Sequence, residues 1–189
     1  AECLGDLLKK NGYQTVFFGG ASLAFGGKGR FLSAHGFDRV YGWEELQRKL
    51  ENSKRRSAWG LHDDDLFSIA LREIRELEAS RSPYLLSLLT LTTHHPKGVL
   101  SPACASVSGE QDPMLAALQC TDFLLSQFLK DLQALTSPDN TVIAVFSDHL
   151  ALRNTLTDRL RQNEENRRLL FFVLNEHPAD YEMEMFHFD

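Results

Sequence analysis

Thr141-Val142-Ile143-Ala144-Val145-Phe146, followed at once by Ser147-Asp148-His149, decides the fold of this chain. Six consecutive apolar, β-branched or aromatic residues that end abruptly in polar ones read as a short strand buried on both faces. Strands of that kind belong to parallel sheets covered by helices on either side. Two further stretches repeat the pattern. Tyr13 to Phe18 runs into Gly19-Gly20-Ala21-Ser22, and Tyr84 to Thr92 runs into Thr93-His94-His95-Pro96. Leu169 to Leu174 reads as another strand and Val40-Tyr41 as a short one.

The segments between them have helical periodicity. Cys3 to Lys10 places Leu4, Leu7 and Leu8 on one face, with Gly12 as a left-handed stop. Lys28 to Ala34 and Trp43 to Leu50 read as short helices. Asp64 to Ala79 carries Phe67, Ala70, Leu71, Ile74 and Leu77 on one stripe, and Met114 to Leu135 is the longest helical stretch. Strands alternating with amphipathic helices give an α/β class: a mostly parallel sheet with helices on both faces. Ligands of such sheets bind at the carboxyl ends of the strands. Gly19-Gly20, His94-His95 and Asp148-His149 are therefore expected on one rim. No internal repeat is visible, so residues 1–189 read as part of one domain, with its weakest joint at 52–57.

Composition narrows the function. The chain is 43% hydrophobic and 24% charged, an ordinary globular balance. Lys and Arg number 20 against 26 Asp and Glu, for a net charge of −6, which argues against nucleic acid as a partner. No apolar run approaches the ~20 residues that span a bilayer. The chain opens on Ala1-Glu2-Cys3 without an initiating Met, and so reads as a piece of a longer protein. Of three cysteines, Cys104 and Cys120 bracket a turn-rich segment. A bridge between them in an oxidising compartment and three reduced thiols are equally compatible with the spacing.

Asp148-His149 is the sharpest chemical signal, because a carboxylate and an imidazole leaving one strand end can reach one divalent cation. The competing reading is a helix-capping Asp beside an incidental His. His94 or His95 can bind an anion or act as a general acid. Gly19-Gly20 and Gly26-Gly27-Lys28 suit the approach of a phosphate, with Lys28 as counter-charge, although the spacing is not that of a P-loop. His62-Asp63-Asp64-Asp65 reads as the acidic first turn of a helix. Lys54 to Arg56 and Arg167-Arg168 read as solvated faces, and the tail 182–189 carries no chemistry. Zinc sites usually take three protein ligands, so Asp148 and His149 alone leave a metal centre incomplete.

At these residues the sequence resembles the lipoteichoic acid synthase and sulfatase-like branch of the alkaline phosphatase superfamily. The matching stretches include Glu2-Cys3-Leu4-Gly5-Asp6, Gly20-Ala21-Ser22-Leu23, Gly27-Lys28, His35-Gly36-Phe37-Asp38 and Trp59-Gly60 with Asp63-Asp64. Thr93-His94-His95-Pro96, Cys104, Cys120 and Ser147-Asp148-His149 with Asn154-Thr155 complete them. They run in order along nearly the whole chain.

The resemblance implies the C-terminal portion of an alkaline-phosphatase/sulfatase-like domain. The implied activity is metal-dependent transfer of phosphoglycerol from phosphatidylglycerol to periplasmic glucans through a phosphothreonine. It assigns Asp148 and His149 to a divalent metal (Mn or Zn, with Mg a further choice) and His94 to the phosphate or leaving group. Lys28, with Ser22 and His95, is assigned to substrate binding. Ala21 and Gly26 replace an acid and a Trp of related synthases, so those two contacts do not carry over. The family's remaining metal ligand, a Glu, its nucleophilic Thr and its membrane helices are expected upstream of Ala1. A Cys104–Cys120 disulfide and a place on the periplasmic face of the inner membrane are also implied. Alternatives within the superfamily are a sulfatase, a phosphodiesterase or a phosphoethanolamine transferase; outside catalysis, the alternative is a module that binds glucan or lipid headgroups.

Overall fold

The computed structural model describes residues 2–50, 56–106, 109–162 and 168–175. Most of the joint expected at 52–57, Lys54, Arg55, Arg167 and the tail 182–189 lie outside the described residues. Helix α1 (Leu4–Lys10) leads into β1 (Gln14–Gly19); α2 (Lys28–Ala34) leads into β2 (Arg39–Tyr41). Then come α3 (Trp43–Leu46), the long α4 (Asp63–Ser80) and β3 (Tyr84–Leu89). Last are α5 (Pro113–Leu135), β4 (Ile143–Phe146), α6 (Thr157–Arg161) and β5 (Phe171–Leu174).

Strands β2, β1 and β3 form a parallel sheet in that order, with Val16 opposite both Arg39 and Leu86. β1 is central and its side chains alternate between two covered faces. Val16 and Phe18, both fully buried, join Leu66, Ile69, Ala70 and Ile74 of α4 and Leu124 and Phe128 of α5 in the core. Phe67 and Phe128 stack with centroids 4.5 Å apart where the two helices meet. On the opposite face Phe17 meets Phe37 edge-on, and Phe37 in turn lies against Gly5 of α1. Each fully buried aromatic or branched side chain contributes on the order of 1.5–3 kcal/mol, so this double-sided strand organises the domain.

β4 stands apart from that sheet. Among the described residues it pairs antiparallel with β5, Ile143 opposite Leu174, instead of extending β1–β3. Val142 and Phe146 are 65% and 63% exposed, so one side of this strand is bare although both sides are apolar. The run TVIAVF specifies a strand but not its neighbour.

Two polar groups inside the core fix the geometry that matters for function. Glu73 of α4 is buried and pairs with Arg39 of β2 and with Lys49, 3.5 Å away, which ties α4 to the sheet edge. Asp63 is 1% exposed. Its Oδ1 accepts from the backbone N–H of Leu91 at 2.7 Å and its Oδ2 from that of Thr92 at 2.9 Å, while its own N–H donates to Ser101 Oγ. The Leu91 amide is thereby taken from the ladder with β1, and β3 ends at Leu89 instead of Thr92. Burial pushes the Asp63 carboxyl above the usual carboxylate range, opposed by its Thr92 and Leu91 donors. The acidic first turn expected from sequence is present, but its first carboxylate serves a distant loop.

Cys104 and Cys120 are bonded, with Cα atoms 5.5 Å apart and both residues fully buried, while Cys3 is a free thiol. Thiol titration of the denatured chain is expected to find one thiol before reduction and three after. Replacing both bridged cysteines by Ser is expected to cost about 3 kcal/mol in denaturant unfolding, the loop-closure value for a separation of 16. Asp63→Ala leaves two buried amides without acceptors, and thermal or chemical melts should lose about 2–4 kcal/mol. A loss below about 0.5 kcal/mol would show that Asp63 does not anchor the loop.

Candidate phosphate and metal site at the strand ends

The carboxyl ends of β1 and β3 lie side by side, because Phe18 is in register with Leu88 and Gly19 with Leu89. Gly20 continues the pairing through its N–H to Leu89 O, 3.0 Å. Its own carbonyl accepts from Leu61 N at 2.9 Å, which pulls the 57–61 turn onto the rim. Gly60 sits there with φ +141°, and a Cβ on it would stand 2.0 Å from Gly20 O. Only glycine fits that approach.

Lys28 reaches the rim from the start of α2. Gly26 and Gly27 both take left-handed φ, 63° and 68°, and turn the chain so that the helix begins at Lys28. The lysine Cε lies 3.8 Å from where a Cβ on Gly19 would stand, and Nζ lies 5.4 Å from the Phe25 ring centroid. Partial burial lowers the Lys28 ammonium from its ordinary value, with Glu44 pulling in the other direction. Ser22 lies in the same turn, its Oγ accepting from Ala24 N at 3.3 Å.

The loop after β3 is tight. His94 N donates to Leu91 O at 2.9 Å, Gly98 N to His94 O at 2.8 Å, and Val99 N to Thr92 O at 2.7 Å. Together with Asp63, these bonds hold both ends of the loop that carries His94 and His95. The His94 Nδ1 lies 2.8 Å from the His95 carbonyl oxygen. A carbonyl only accepts, so Nδ1 carries the proton and Nε2 keeps its lone pair. His94 packs against His95 (centroids 4.7 Å) and against Trp59 (4.0 Å).

Asp148 and His149 follow β4 and are more than half exposed, their side chains at 61% and 56%. His149 repeats the arrangement of His94: Nδ1 lies 2.8 Å from the Leu150 carbonyl, so Nε2 is the free acceptor. That Nε2 stands 3.7 Å from Asp148 Oδ2. An oxygen and a nitrogen each about 2.0–2.2 Å from one ion stand roughly 3.5 Å apart, so this donor pair fits a single divalent cation. The segment after β4 is tied to the histidine loop. Thr155 N donates to Pro96 O at 3.3 Å, and Thr155 Oγ1 donates to Asp112 Oδ1 at 2.9 Å, the carboxylate that also caps α5.

The structure thus puts Lys28, Ser22, His94 and His95 near the ends of β1 and β3, whereas Asp148 and His149, expected on the same rim, follow β4 of the separate two-stranded sheet. The chain six residues past His149 is bonded to the histidine loop, Thr155 N to Pro96 O. Among the described residues, three metal-capable side chains come within 4.8 Å of one another only at Cys3, Asp6 and His35. Asp6 there is already engaged: it accepts from Cys3 N at 3.0 Å and pairs with His35 Nδ1 at 3.1 Å. The cluster is a helix cap with a hydrogen-bonded histidine at the amino end of the sheet. Sequence reasoning gave no task to Asp63 beyond capping and none to Trp59 beyond a matching dipeptide. Burial of the one, and stacking of the other on His94, arise from residues far apart in the chain.

Comparison with known proteins agrees with this architecture. The profile of the sulfatase family matches residues 1–175. Phosphoglycerol transferase I of Escherichia fergusonii is 41% identical over 176 residues, which is 91% of this chain and 23% of that protein. The chain spans about a quarter of the length of the curated relatives it matches. A Vibrio parahaemolyticus protein of the alkaline phosphatase superfamily superposes with a TM-score of 0.62 at 26% identity, over 77% of this chain and 35% of that one. The lipoteichoic acid synthase LtaP of Listeria monocytogenes shares the fold, with a TM-score of 0.71 at 19% identity over 92% of this chain and 46% of that one. A match over nearly the whole length, on the sheet and rim just described, means that the chain belongs to the sulfatase family.

Proposed function

We propose that this chain is the C-terminal part of a phosphoglycerol transferase that moves phosphoglycerol from phosphatidylglycerol to a glucan. The reaction would run through a phosphothreonine on the periplasmic face of the inner membrane. The observation that carries this reading is the rim itself: a partly buried ammonium at Lys28, an imidazole at His94 with Nε2 unspent, and the Asp148-His149 donor pair on a segment bonded to the same loop. The name and identity of the curated relatives support the choice of phosphoglycerol as the group transferred.

Each residue has a task in that chemistry. Lys28 binds a non-bridging oxygen of the phosphodiester and offsets the charge that builds there. Asp148 Oδ2 and His149 Nε2 would hold a divalent ion, which would supply positive charge to offset that of the phosphodiester. The threonine and the remaining ligand come from a part of the domain outside these 189 residues. In the first half, the threonine, entering as its alkoxide, bonds to phosphorus while the bond to the glyceride oxygen breaks. His94, having taken up a second proton on Nε2, gives it to that departing oxygen. In the second half, the sugar hydroxyl gives its proton to Nε2 and bonds to phosphorus while the bond to threonine breaks and threonine leaves as the alkoxide, so His94 and the threonine both end as they began. Ser22 and His95 flank the phosphate and orient the glycerol.

In a polypeptide spanning the full length of the relatives, His149→Ala is expected to lose bound metal and transfer of labelled phosphoglycerol together. Retention of both would overturn the assignment. Lys28→Ala should lower kcat/KM about 10²-fold, the scale of one lost electrostatic contact. Because Lys28 titrates below the ordinary lysine value of 10.5, its cation is lost earlier as pH rises. The alkaline limb of the rate profile should therefore begin below that value and move upward in Lys28→Arg.

A further inference from the structure

Trp59 has no task in the mechanism above, yet its placement is more constrained than that of any other exposed aromatic side chain near the rim. The turn that carries it is closed by Ser57. Trp59 N and Gly60 N both donate to Ser57 Oγ, at 3.1 and 3.2 Å, and Ser57 N donates to Gly60 O at 2.8 Å. Leu61 N bonded to Gly20 O, and Gly60 packed on that same carbonyl, fix the turn to the end of β1. The indole is 40% exposed, so it fills no core. It lies on the His94 ring with centroids 4.0 Å apart and planes inclined by 35°.

We propose that Trp59 is a positioning residue for His94. The indole restrains rotation of the imidazole about its side-chain bonds, and the Nδ1–His95 carbonyl bond sets the tautomer. Together they leave Nε2 as the one ring nitrogen offered to a phosphate-bearing ligand. Neither restraint suffices alone. A single hydrogen bond to a neighbouring carbonyl leaves an exposed ring free to exchange it for water, whereas an aromatic face on the ring makes that rotation lose contact area. The effect on activity rests on the phosphotransfer reading; the stacking and the tautomer do not.

Nitrogen-15 and proton NMR of the full chain tests the physical claim. The expected result is that the neutral His94 ring carries its proton on Nδ1 and not on Nε2, with its ring protons shifted upfield by the indole. Trp59→Leu should abolish the upfield shift and give a mixture of tautomers, while Trp59→Phe should keep most of both. Unchanged His94 signals in a folded Trp59→Leu would overturn the proposal. Should that variant fail to fold, His94→Gln supplies the same test from the other side: the Trp59 indole signals must move, and unmoved signals would overturn it equally. In a polypeptide of the relatives' full length, Trp59→Leu should lower kcat about 10-fold with KM changed less than twofold, a part of the 10²–10⁴ that proton transfer contributes. Full transfer activity in His94→Gln would remove the catalytic role of His94 and leave the NMR result to judge the stack.

Discussion

A carboxylate taken out of water has to be given hydrogen-bond donors, and Asp63 finds its donors 28 and 29 residues away, on Leu91 and Thr92. That requirement couples the start of α4 to the end of β3. The consequence is local and specific: the Leu91 amide, which would have continued the ladder with β1, is turned toward the helix together with that of Thr92, and the chain after them closes into the tight loop bearing His94 and His95. The energy at stake is not the modest net gain of two hydrogen bonds but the larger penalty of leaving buried donors or a buried acid unpaired. Glu73 does the same for the other edge of the sheet through Arg39 and Lys49. Asp63 opens α4 and Glu73 lies mid-helix on its buried face between Ala70 and Ile74, so the helix is held by apolar packing and by two buried acids.

Two imidazoles, His94 and His149, are held in the same way. In His94 and in His149 the Nδ1–H is spent on the carbonyl of the following residue, His95 O in one case and Leu150 O in the other. A ring so held has one lone pair left, on Nε2, and the identity of that atom is fixed before any ligand arrives. Placing each histidine next to its own acceptor makes the arrangement robust to movements of the surrounding loops.

The two sheets differ in how complete they are. The β2–β1–β3 sheet is covered on both faces around β1, whereas the β4–β5 pair leaves Val142, Phe146 and Phe171 open, Phe171 at 69%. Two side chains that could ligate a metal, Asp148 and His149, follow the less covered pair of strands, and a zinc centre usually takes three protein ligands. The chain spans about a quarter of the length of the curated relatives it matches.

Local pattern alone determined a good deal. Tyr13 to Phe18, Tyr84 to Thr92 and Thr141 to Phe146 announced strands because continuous apolar β-branched and aromatic runs have no other use in a chain of this composition. The 3.6 spacing of Phe67, Ala70, Ile74 and Leu77 announced α4. Lys28, His94 and Asp148-His149 were legible as candidates because each directly follows a strand or a glycine turn. What tertiary structure decided is everything that depends on a partner distant in sequence. Sequence does not encode that β4 pairs with β5, since an apolar strand accepts either neighbour. Nor does it show that β3 stops three residues early, because the acceptor responsible lies on another helix. Trp59 lies on His94 only because Gly60 closes against Gly20. Periodicity reports what one segment wants to bury, and the chain in three dimensions settles against what.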